Sequence, residues 1–476
     1  MSAWAWALVV FQFVILAYFA VLNFLYALFG YLGLRAVIVY ARELSSVALR
    51  NILERELEMP VSILVPAHNE EAGIVASLHS MLALHYPEFE VVVASDGSID
   101  RTMELLIEHF ALVADPRIYR RAITTAHVHR IYRSLRHPNL VVVDKDQGGR
   151  ADALNAALNM SRHPLVAAID ADSLLDAEAI LRASRLFLED EQVVGVGGTI
   201  RPLNGAVMVD GRVTALRMPT TWIERFQVLE YARAFFTGRA GWSALGGLLI
   251  ISGAFGLFRR DPLVEVGGFS TETVCEDFEL TMRLHQRYRR AGKPYKILFS
   301  PDPICWTEVP NSMKDLRSQR NRWHRGLWET MWKYRGMTFN PRYGTVGMVA
   351  LPYFWIFEAI APVVEALGYI VLPISFLAGV LFWQFALMFV FLAVMLGMLV
   401  SQVSVGIETL LLARYPRVRD RVTLFLAGFL EFFGYRQILT VERVLAMLQI
   451  RRKRGTWGAM TRTGIPAATP LVTAKR

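Results

Sequence analysis

The stretch that decides the fold is residues 61–71, which read VSILVPAHNEE. Its opening run is almost entirely apolar and ends at Pro66, which predicts a β-strand that is buried on both faces. Comparable apolar runs follow at Phe89–Ala94, Leu140–Val143 and Leu165–Ile169. Continuous apolar strands of this kind are typical of a parallel sheet that is covered on both sides.

Amphipathic stretches between these strands predict helices at Glu70–Leu84, Asp100–Ala114 and Ala151–Met160. Alternating strands and helices predict an α/β fold with a Rossmann-like, mostly parallel central sheet. Ligands of such sheets bind beyond the carboxyl ends of the strands. Several polar motifs follow the predicted strands at that edge, so we expect the functional site there.

The segment Asp115–Asn139 is predicted to be an inserted loop. It contains His127, His129 and His137, a residue type that often binds metal ions. We expect no nearby carboxylate or cysteine to complete a metal site, so we interpret the segment as a solvated basic loop.

The composition indicates a membrane protein with a soluble middle. The 476 residues are 54% hydrophobic and 20% charged, with a mean hydropathy of +0.34. The hydrophobic excess lies in four stretches that are long enough to cross a bilayer. These stretches are Ala3–Leu34, Val346–Leu377, Val380–Leu412 and Val422–Leu448. Charged residues interrupt the last one, which makes it the best candidate for a re-entrant segment.

The formal net charge of +9 comes from arginines and lysines that cluster beside the apolar stretches. This pattern follows the positive-inside rule of membrane proteins and favours attraction to anionic lipids. Because no nucleic-acid-binding motif accompanies the charge, we do not expect nucleic acid as a partner. We therefore expect a multi-pass protein of the cell membrane whose soluble middle faces the cytoplasm. Cys275 and Cys305 match no zinc or disulfide pattern and fit a reducing compartment.

These features predict a linear domain organisation. The regions are an N-terminal transmembrane helix at 1–40, an interfacial linker at 41–59, an α/β domain at 60–310, amphipathic interface helices at 311–345, a C-terminal transmembrane region of about three segments at 346–450, and a basic cytoplasmic tail at 451–476.

Acidic residues follow two of the predicted strands. Asp96 lies in the sequence ASDGS, where its carboxylate either binds a nucleoside or belongs to an ordinary turn. Asp170 and Asp172 lie in IDADS and can point to the same side of the chain. A pair of carboxylates suits Mg²⁺ or Mn²⁺ with diphosphate oxygens, and helix capping is the alternative interpretation.

Two further motifs carry groups that can bind a substrate. Residues 145–155 read KDQGGRADALN, in which the glycines permit close backbone approach and Lys145 and Arg150 can bind phosphate. Glu276 and Asp277 precede an amphipathic helix. A carboxylate there either interacts with the helix dipole or acts as a general base.

Residues 319–323 read QRNRW and lie just before the second apolar stretch. An arginine here can hold a diphosphate, Trp323 can stack on a sugar ring, and Gln319 can bind a hydroxyl group. The alternative is a basic aromatic helix at the membrane surface.

The order of these motifs resembles that of the inverting family 2 glycosyltransferases, which have a GT-A fold. The chain is most similar to their membrane-integrated branch, the synthases of cellulose, hyaluronan, chitin and poly-N-acetylglucosamine. The resemblance covers about Val61–Trp328 and includes VPAHNEE at 65–71 and SGAFGLFRR at 252–260. One departure is Ser95, where many relatives have a second aspartate.

The resemblance implies a hexosyltransferase that uses a UDP-sugar and Mg²⁺ or Mn²⁺, inverts the anomeric carbon in one displacement, and extends a polysaccharide. The implied roles are catalytic base for Asp277, donor binding for Asp96, Lys145, Arg150, Asp170 and Asp172, metal binding for Asp172 and Asp170, and acceptor or diphosphate binding for Glu276, Gln319, Arg322 and Trp323. One alternative is a glycosyltransferase that adds a single sugar to a lipid acceptor. A weaker alternative is a non-catalytic membrane transporter or receptor. Export of the glycan and a partner protein for export or regulation stay open.

Ionisable residues within the apolar stretches raise a second hypothesis. Glu358 and Glu365 share one face of a predicted helix, and such groups are expected to face protein, water or a ligand. They predict a polar passage or lipid-acceptor groove. The alternative is mutual pairing within the protein, for example of Glu431 with Arg436.

Overall fold

The computed structural model describes residues 3–43, 58–209, 212–412, 417–450 and 452. These residues form two compact units. We call residues 58–219 and 249–309 the sheet unit, and residues 3–41, 220–248 and 310–450 the helical unit.

The described part of the sheet unit contains one large mixed sheet. Its strands, in the order in which they lie side by side, are β3 (Leu112–Ala114), β4 (Val128–Ser134), β5 (Leu140–Lys145), β2 (Phe89–Asp96), β1 (Val61–Ala67), β6 (Leu165–Ile169), β11 (Phe255–Arg259), β8 (Val193–Pro202), β12 (Lys296–Thr307) and β7 (Leu174–Leu175). A separate antiparallel pair consists of β9 (Ala206–Val209) and β10 (Arg212–Leu216).

The centre of the large sheet is parallel, as the apolar strands predicted. Strands β5, β2, β1 and β6 run side by side in one direction, and β8 and β12 are parallel to each other. Strand β11 is antiparallel to both of its neighbours, β4 is antiparallel to both β3 and β5, and β7 pairs antiparallel with β12 at the opposite end of the sheet. The α/β fold with a mostly parallel central sheet is therefore confirmed.

Helices cover the sheet and close its core. The helix Arg150–Met160 packs against β1 and β2, and nearly all of its residues are buried. In the sheet itself, Ile63, Leu64 and Val92 have no exposed surface. Each such side chain contributes about 1.5–3 kcal/mol by leaving water. The other helices of this unit are Ile74–Leu82, Thr102–Phe110, Ala179–Glu189, Arg260–Glu265 and Glu276–Ala291.

Two sequence predictions in this unit are wrong. The helix predicted at Asp100–Ala114 ends at Phe110, because Ala111 adopts a left-handed conformation with φ of 48° and the chain continues as β3. The segment Asp115–Asn139 is more than a loop, since it contains β4. Strand β4 was not predicted because its residues form no continuous apolar run, and within it only Ile131 and Ser134 are buried.

The helical unit consists of long and interrupted helices. Its α-helices are Ala3–Glu43, Trp222–Ala232, Ala240–Ala244, Met313–Lys333, Leu351–Phe354, Ala361–Leu377, Trp383–Val390, Gly397–Leu412, Val418–Leu430 and Tyr435–Gln449. Wider π-helical turns join or interrupt several of them, at Arg233–Arg239, Val346–Ala350, Trp355–Ala359 and Phe391–Leu396. Short 3₁₀ turns occupy Arg335–Met337 and Pro341–Tyr343.

Two helices among the described residues are long and apolar enough to cross a membrane unaided. They are Ala3–Tyr40, of 38 residues, and Val346–Leu377, of 32 residues. A bent pair, Val418–Leu430 and Tyr435–Gln449, turns by 54° and is either a broken span or a re-entrant loop. The bend lies at Gly434, whose φ of 94° suits glycine. It falls within the stretch that the sequence marked as the candidate for re-entry.

Two glutamates of the helical unit accept hydrogen bonds from neighbouring side chains. Glu431 accepts hydrogen bonds from Arg233 at 2.8 Å, Arg436 at 3.0 Å and Ser401 at 3.0 Å. The predicted pairing of Glu431 with Arg436 is thus confirmed, and Arg233 joins it. Glu365 accepts a hydrogen bond from Thr440 at 2.6 Å. The polar passage stays a hypothesis. The predicted basic tail at 451–476 lies almost wholly outside the described residues, as does most of the linker at 41–59.

Candidate active site

Asp96 organises the loop that follows β5. It is the last residue of β2 and is buried, and the parallel register places it beside Lys145 at the end of β5. One carboxylate oxygen accepts the Gly148 N–H at 2.9 Å, and the other accepts the Gly149 N–H at 2.7 Å. The glycine-rich loop is therefore fixed to the end of β2 by charge-assisted hydrogen bonds.

The ammonium group of Lys145 joins two buried carboxylates. It donates to Asp96, to Asp152 Oδ1 at 2.7 Å and to the carbonyl oxygen of Asp146 at 2.6 Å. The side chain has no exposed surface. An ammonium group has three N–H donors, so these acceptors engage all of them. The lysine that the sequence assigned to phosphate binding is thus placed in the protein interior.

Gly97, directly after Asp96, permits the close approach of the Gln147 backbone. Its φ of +63° lies in the left-handed region, and a Cβ atom would come within 2.9 Å of the Gln147 backbone nitrogen. The Asp-Gly-Ser sequence after β2 is therefore a true turn, and the same turn carries the buried Asp96. The turn interpretation is confirmed, and nucleoside binding by Asp96 stays a prediction.

Arg150 connects three parts of the sheet unit. At the start of the helix Arg150–Met160, its guanidinium donates to Asp170 Oδ1 at 2.8 Å and to the Gly253 carbonyl oxygen at 2.8 Å. A third contact joins it to the buried carboxylate of Glu276. One planar guanidinium therefore connects the residue after β6, the segment before β11 and the first turn of the helix Glu276–Ala291.

Asp277 belongs to the same cluster. Its Oδ2 accepts the Gly253 N–H at 2.9 Å, and its Oδ1 accepts the Phe278 N–H at 2.8 Å. Gly253 thus donates to Asp277 and accepts from Arg150, which brings Asp170, Glu276 and Asp277 to one edge of the sheet. We call Arg150, Asp170, Gly253, Glu276 and Asp277 the carboxylate cluster.

Asp170 and Asp172 offer the oxygen donors that a divalent cation requires. Asp170 lies at the carboxyl end of β6 with 30% of its side chain exposed, and Asp172 is half-buried two residues further on. Both carboxylates lie close enough to Cys305 to raise its pKa electrostatically. Two hard oxygen ligands at a partly open sheet edge fit Mg²⁺ or Mn²⁺.

Cys305 takes no part in the chemistry of this edge. Burial is the main cause that raises the pKa of its thiol well above the ordinary range, and the neighbouring aspartates raise it further. The thiol also lies 3.3 Å from the Ala254 carbonyl oxygen. A buried, protonated thiol is inert as a nucleophile.

The prediction for the histidines at 127 and 129 is wrong in one respect. Strand β4 pairs with β5 and brings His129 Nε2 to 2.7 Å from Asp146 Oδ1, so a carboxylate does lie beside them. His127, His129 and Asp146 form an exposed group whose ligand atoms all lie within 4.8 Å of one another. The pairing of two strands separated along the chain created a proximity that sequence spacing did not reveal. His137 is outside this group.

Several residues around the site were missed. Asp152 accepts from Lys145, and Asn155 makes two hydrogen bonds with the backbone of Phe269. His68 lies 2.7 Å from the Asp96 carbonyl oxygen through Nδ1. Asp152 and Asn155 were within the quoted KDQGGRADALN, and their separation of three residues, which places them on one face of a helix, was the available signal. No comparable sequence signal marked Gly253, because its role is a backbone one.

Gln319, Arg322 and Trp323 lie on the helix Met313–Lys333 of the helical unit. Gln319 is buried, and its carboxamide oxygen has no hydrogen-bond partner among the residues that the structure describes. Trp323 is 37% exposed, and the guanidinium of Arg320 lies 4.4 Å from its ring centre. Neighbouring His324 is buried, which lowers its pKa to about 3 with a smaller contribution from Arg443.

The sequence of this edge matches a described protein family. The profile of the family "Glycosyltransferase like family 2" matches residues 59–326, more than half of the chain. The chain belongs to this family. The match covers most of the sheet unit and extends through the Gln319–Trp323 motif, so the resemblance predicted from the motifs is confirmed.

Relatives of this glycosyltransferase include polysaccharide synthases. The chain is 26% identical over 272 residues to the poly-beta-1,6-N-acetyl-D-glucosamine synthases of Staphylococcus aureus and Staphylococcus epidermidis. The matched region is 57% of this chain and 55% of those relatives, so the alignment spans about half of their length.

The fold is shared with a solved structure. A mannosyltransferase from Pyrobaculum calidifontis, determined in complex with GDP-Man and Mn²⁺, aligns with a TM-score of 0.50 and 17% sequence identity. The alignment covers 90% of this chain and 99% of that one. At this identity the likeness concerns the fold alone.

Proposed function

We propose that this glycosyltransferase transfers a sugar from a UDP-sugar, with inversion, to a growing polysaccharide. The observation that carries the proposal is the carboxylate cluster, in which Arg150 connects Asp170 to Glu276 and Gly253 connects Arg150 to Asp277. An acid pair for the donor diphosphate and a base for the acceptor are the groups that such a transfer requires. The names of the Staphylococcus relatives support a polymeric product.

In this proposal Asp277 acts as the general base. Its carboxylate takes the proton of the acceptor hydroxyl group while the hydroxyl oxygen attacks the anomeric carbon of the donor. The bond from that carbon to UDP breaks on the opposite face, and UDP leaves with the bonding electrons. The Gly253 N–H at 2.9 Å and the Phe278 N–H at 2.8 Å hold the carboxylate in one orientation. A fixed base is ready for the transition state without reorganisation.

The donor groups are assigned to Asp170 of the cluster and to residues outside it. Asp172, with Asp170, would hold Mg²⁺ or Mn²⁺, and a bound cation would neutralise charge on the leaving diphosphate. Asp96 remains our candidate for the nucleoside, since a carboxylate has acceptor sites beyond those used by the loop. We assign Lys145 a positioning role, because protein acceptors engage its ammonium group. Arg150 and Glu276 position Asp170 and Gly253.

The acceptor groups are proposed from the helical unit. We assign Gln319 to a sugar hydroxyl, Trp323 to stacking on a sugar ring and Arg322 to the diphosphate. The buried carboxamide oxygen of Gln319, without a partner in the described residues, supports a ligand there. The two candidate membrane-spanning helices support a membrane enzyme. We further propose that the catalytic domain faces the cytoplasm and that export accompanies synthesis.

The test is UDP release by the purified enzyme, with UDP-glucose, UDP-N-acetylglucosamine, UDP-glucuronate and UDP-galactose as donors. Asp277→Asn removes the base while keeping the size and shape of the side chain, and the expected loss in kcat is about 10²–10⁴-fold. Asp261→Asn, whose side chain is 90% exposed on a neighbouring helix, is the matched control and should keep full activity. Unchanged UDP release by Asp277→Asn would reject the assignment of the base.

A further inference from the structure

The group formed by His127, His129 and Asp146 has no role in the proposed transfer. It lies where β4 meets the end of β5, and all three residues are exposed. Two imidazoles and one carboxylate differ in chemistry from the paired aspartates that follow β6. Imidazole nitrogen favours Zn²⁺ and similar transition metals, whereas Mg²⁺ prefers oxygen ligands alone.

The backbone aims these three side chains toward one another. Strand β4 has an irregular register against β5 between Val128 and Arg130, so His129 falls at a bulge. A bulge re-aims the side chain of the extra residue, and bulges are common beside functional sites. His127 and His129 are two positions apart, and their ring centres are 5.0 Å from each other.

Asp146 is held in place by its own backbone. Its N–H donates to the His127 carbonyl oxygen at 2.9 Å, and its carbonyl oxygen accepts from Lys145 Nζ at 2.6 Å. The backbone of Asp146 is therefore fixed relative to His127 on one side and to the buried Lys145 on the other, and its side chain contacts His129. A ligand set that is already in position loses little conformational entropy when an ion binds.

An ion pair alone gives little reason for this arrangement. The side chains of His129 and Asp146 are 48% and 57% exposed. Exposed pairs of this kind contribute little to stability. Such a pair also needs no second histidine, whereas a metal site with three protein ligands and open positions for water uses all three residues.

We propose that His127, His129 and Asp146 form a second cation site, which binds Zn²⁺ or a similar transition-metal ion. Its location gives it a consequence for the sugar donor. Asp146 precedes Gln147, Gly148 and Gly149, and the last two donate to Asp96. A bound ion would join β4 to the loop that positions Asp96. This site is separate from the Mg²⁺ or Mn²⁺ site proposed at Asp170 and Asp172.

The test is Co²⁺ binding to the full-length protein in detergent, purified with a tag that contains no histidine and stripped of metal. Excess Mg²⁺ occupies the site of oxygen ligands, and intense visible Co²⁺ absorption reports the four-coordinate geometry of three protein ligands and a water, whereas octahedral Co²⁺ on oxygen ligands absorbs weakly. We expect one equivalent of Co²⁺ that Zn²⁺ displaces. His127→Ala and His129→Ala should each weaken binding by about tenfold or more. His109→Ala, on an exposed helical position, is the matched control and should bind as the wild type does.

Two results would overturn the proposal. One is the absence of Co²⁺ absorption in the wild type under excess Mg²⁺, and the other is wild-type affinity in His127→Ala and His129→Ala. Protection of the buried Cys305 thiol from labelling shows that each variant is folded. Because the titration contains no sugar donor, its outcome is independent of whether the proposed transfer is correct. Asp277→Asn should bind Co²⁺ normally.

Discussion

Replacement of Lys145 by methionine separates a positioning role from phosphate binding. Methionine keeps most of the length of the side chain but removes the charge that lies between Asp96 and Asp152. In the variant Asp96 keeps the Gly148 and Gly149 N–H groups, and Asp152 keeps the Ala126 N–H. Both carboxylates then lack their counter-ion in a buried setting.

The expected cost follows from the burial of the three side chains. Lys145 is 0% exposed, Asp96 is 4% exposed and Asp152 is 10% exposed. Removal of one partner from a buried ion pair destabilises a protein by about 3–5 kcal/mol. Since every 1.4 kcal/mol is a factor of ten, the population of opened sheet unit should rise by about two to three and a half orders of magnitude.

Cys305 provides an assay specific to the sheet unit. Its thiol is fully buried in β12 and reacts with a maleimide only when the sheet opens. Cys275→Ser removes the second thiol of the chain, and labelling is followed at increasing urea concentration. Lys296→Met is the matched control, because Lys296 is 50% exposed and pairs with the partly exposed Asp190. Its cost should be about 0–1 kcal/mol.

The opposite pattern would refute this reasoning. If Lys145 served the donor phosphates and contributed nothing to the fold, Lys145→Met would label like the parent and lose only UDP-sugar affinity. Equal labelling of Lys145→Met and Lys296→Met would likewise show that Lys145 does not stabilise the sheet unit. We expect early labelling in Lys145→Met alone.

Three other outcomes follow from the same structure. Gly253→Ala would place a Cβ atom 3.2 Å from the Arg150 guanidinium, so UDP release should fall several-fold. Gly336→Ala is the control and should be neutral, because no atom of the described residues lies near the position of its added Cβ. Equal activities of the two variants would contradict this prediction. The pKa of His324 is about 3 in the folded state and 6.5 in the unfolded state, so stability to urea should be full above pH 6.5 and decline as the pH falls toward 3. His324→Gln should reduce this dependence of stability on pH. The same pH dependence in the parent and the variant would contradict the prediction. Chelation of divalent cations should abolish UDP release and added Mn²⁺ or Mg²⁺ restore it, whereas activity that survives chelation would remove the metal from the proposal.

The sequence predicts the buried part of the fold well. Strand β6 at Leu165–Ile169 has the predicted bounds, and the predicted strands at 61, 89 and 140 begin where β1, β2 and β5 begin. A strand that is buried on both faces of a sheet is recognisable in the sequence as a continuous apolar run, because every one of its side chains is buried. Strand β4 lies between β3 and β5 near one end of the sheet, where backbone pairing decides its conformation and side-chain pattern does not.

The candidate site was predicted by residue type, but its contacts required coordinates. Lys145 and Arg150 were expected at phosphate because lysine and arginine beside glycines suit anions. The structure shows both in contact with carboxylates, Lys145 with Asp96 and Asp152, and Arg150 with Asp170 and Glu276, while their role at phosphate stays a prediction. Such pairings join positions up to 126 residues apart, which spacing along the chain cannot reveal.

The most direct test of the account is the anomeric configuration of the product. The purified enzyme is supplied with an α-linked UDP-sugar, and the linkage formed is read from the proton coupling constant of the anomeric position by NMR. Attack by an acceptor that Asp277 deprotonates, on the face opposite UDP, predicts a β-linkage from a single displacement. An α-linked product would contradict direct inversion and with it the role of Asp277 as general base.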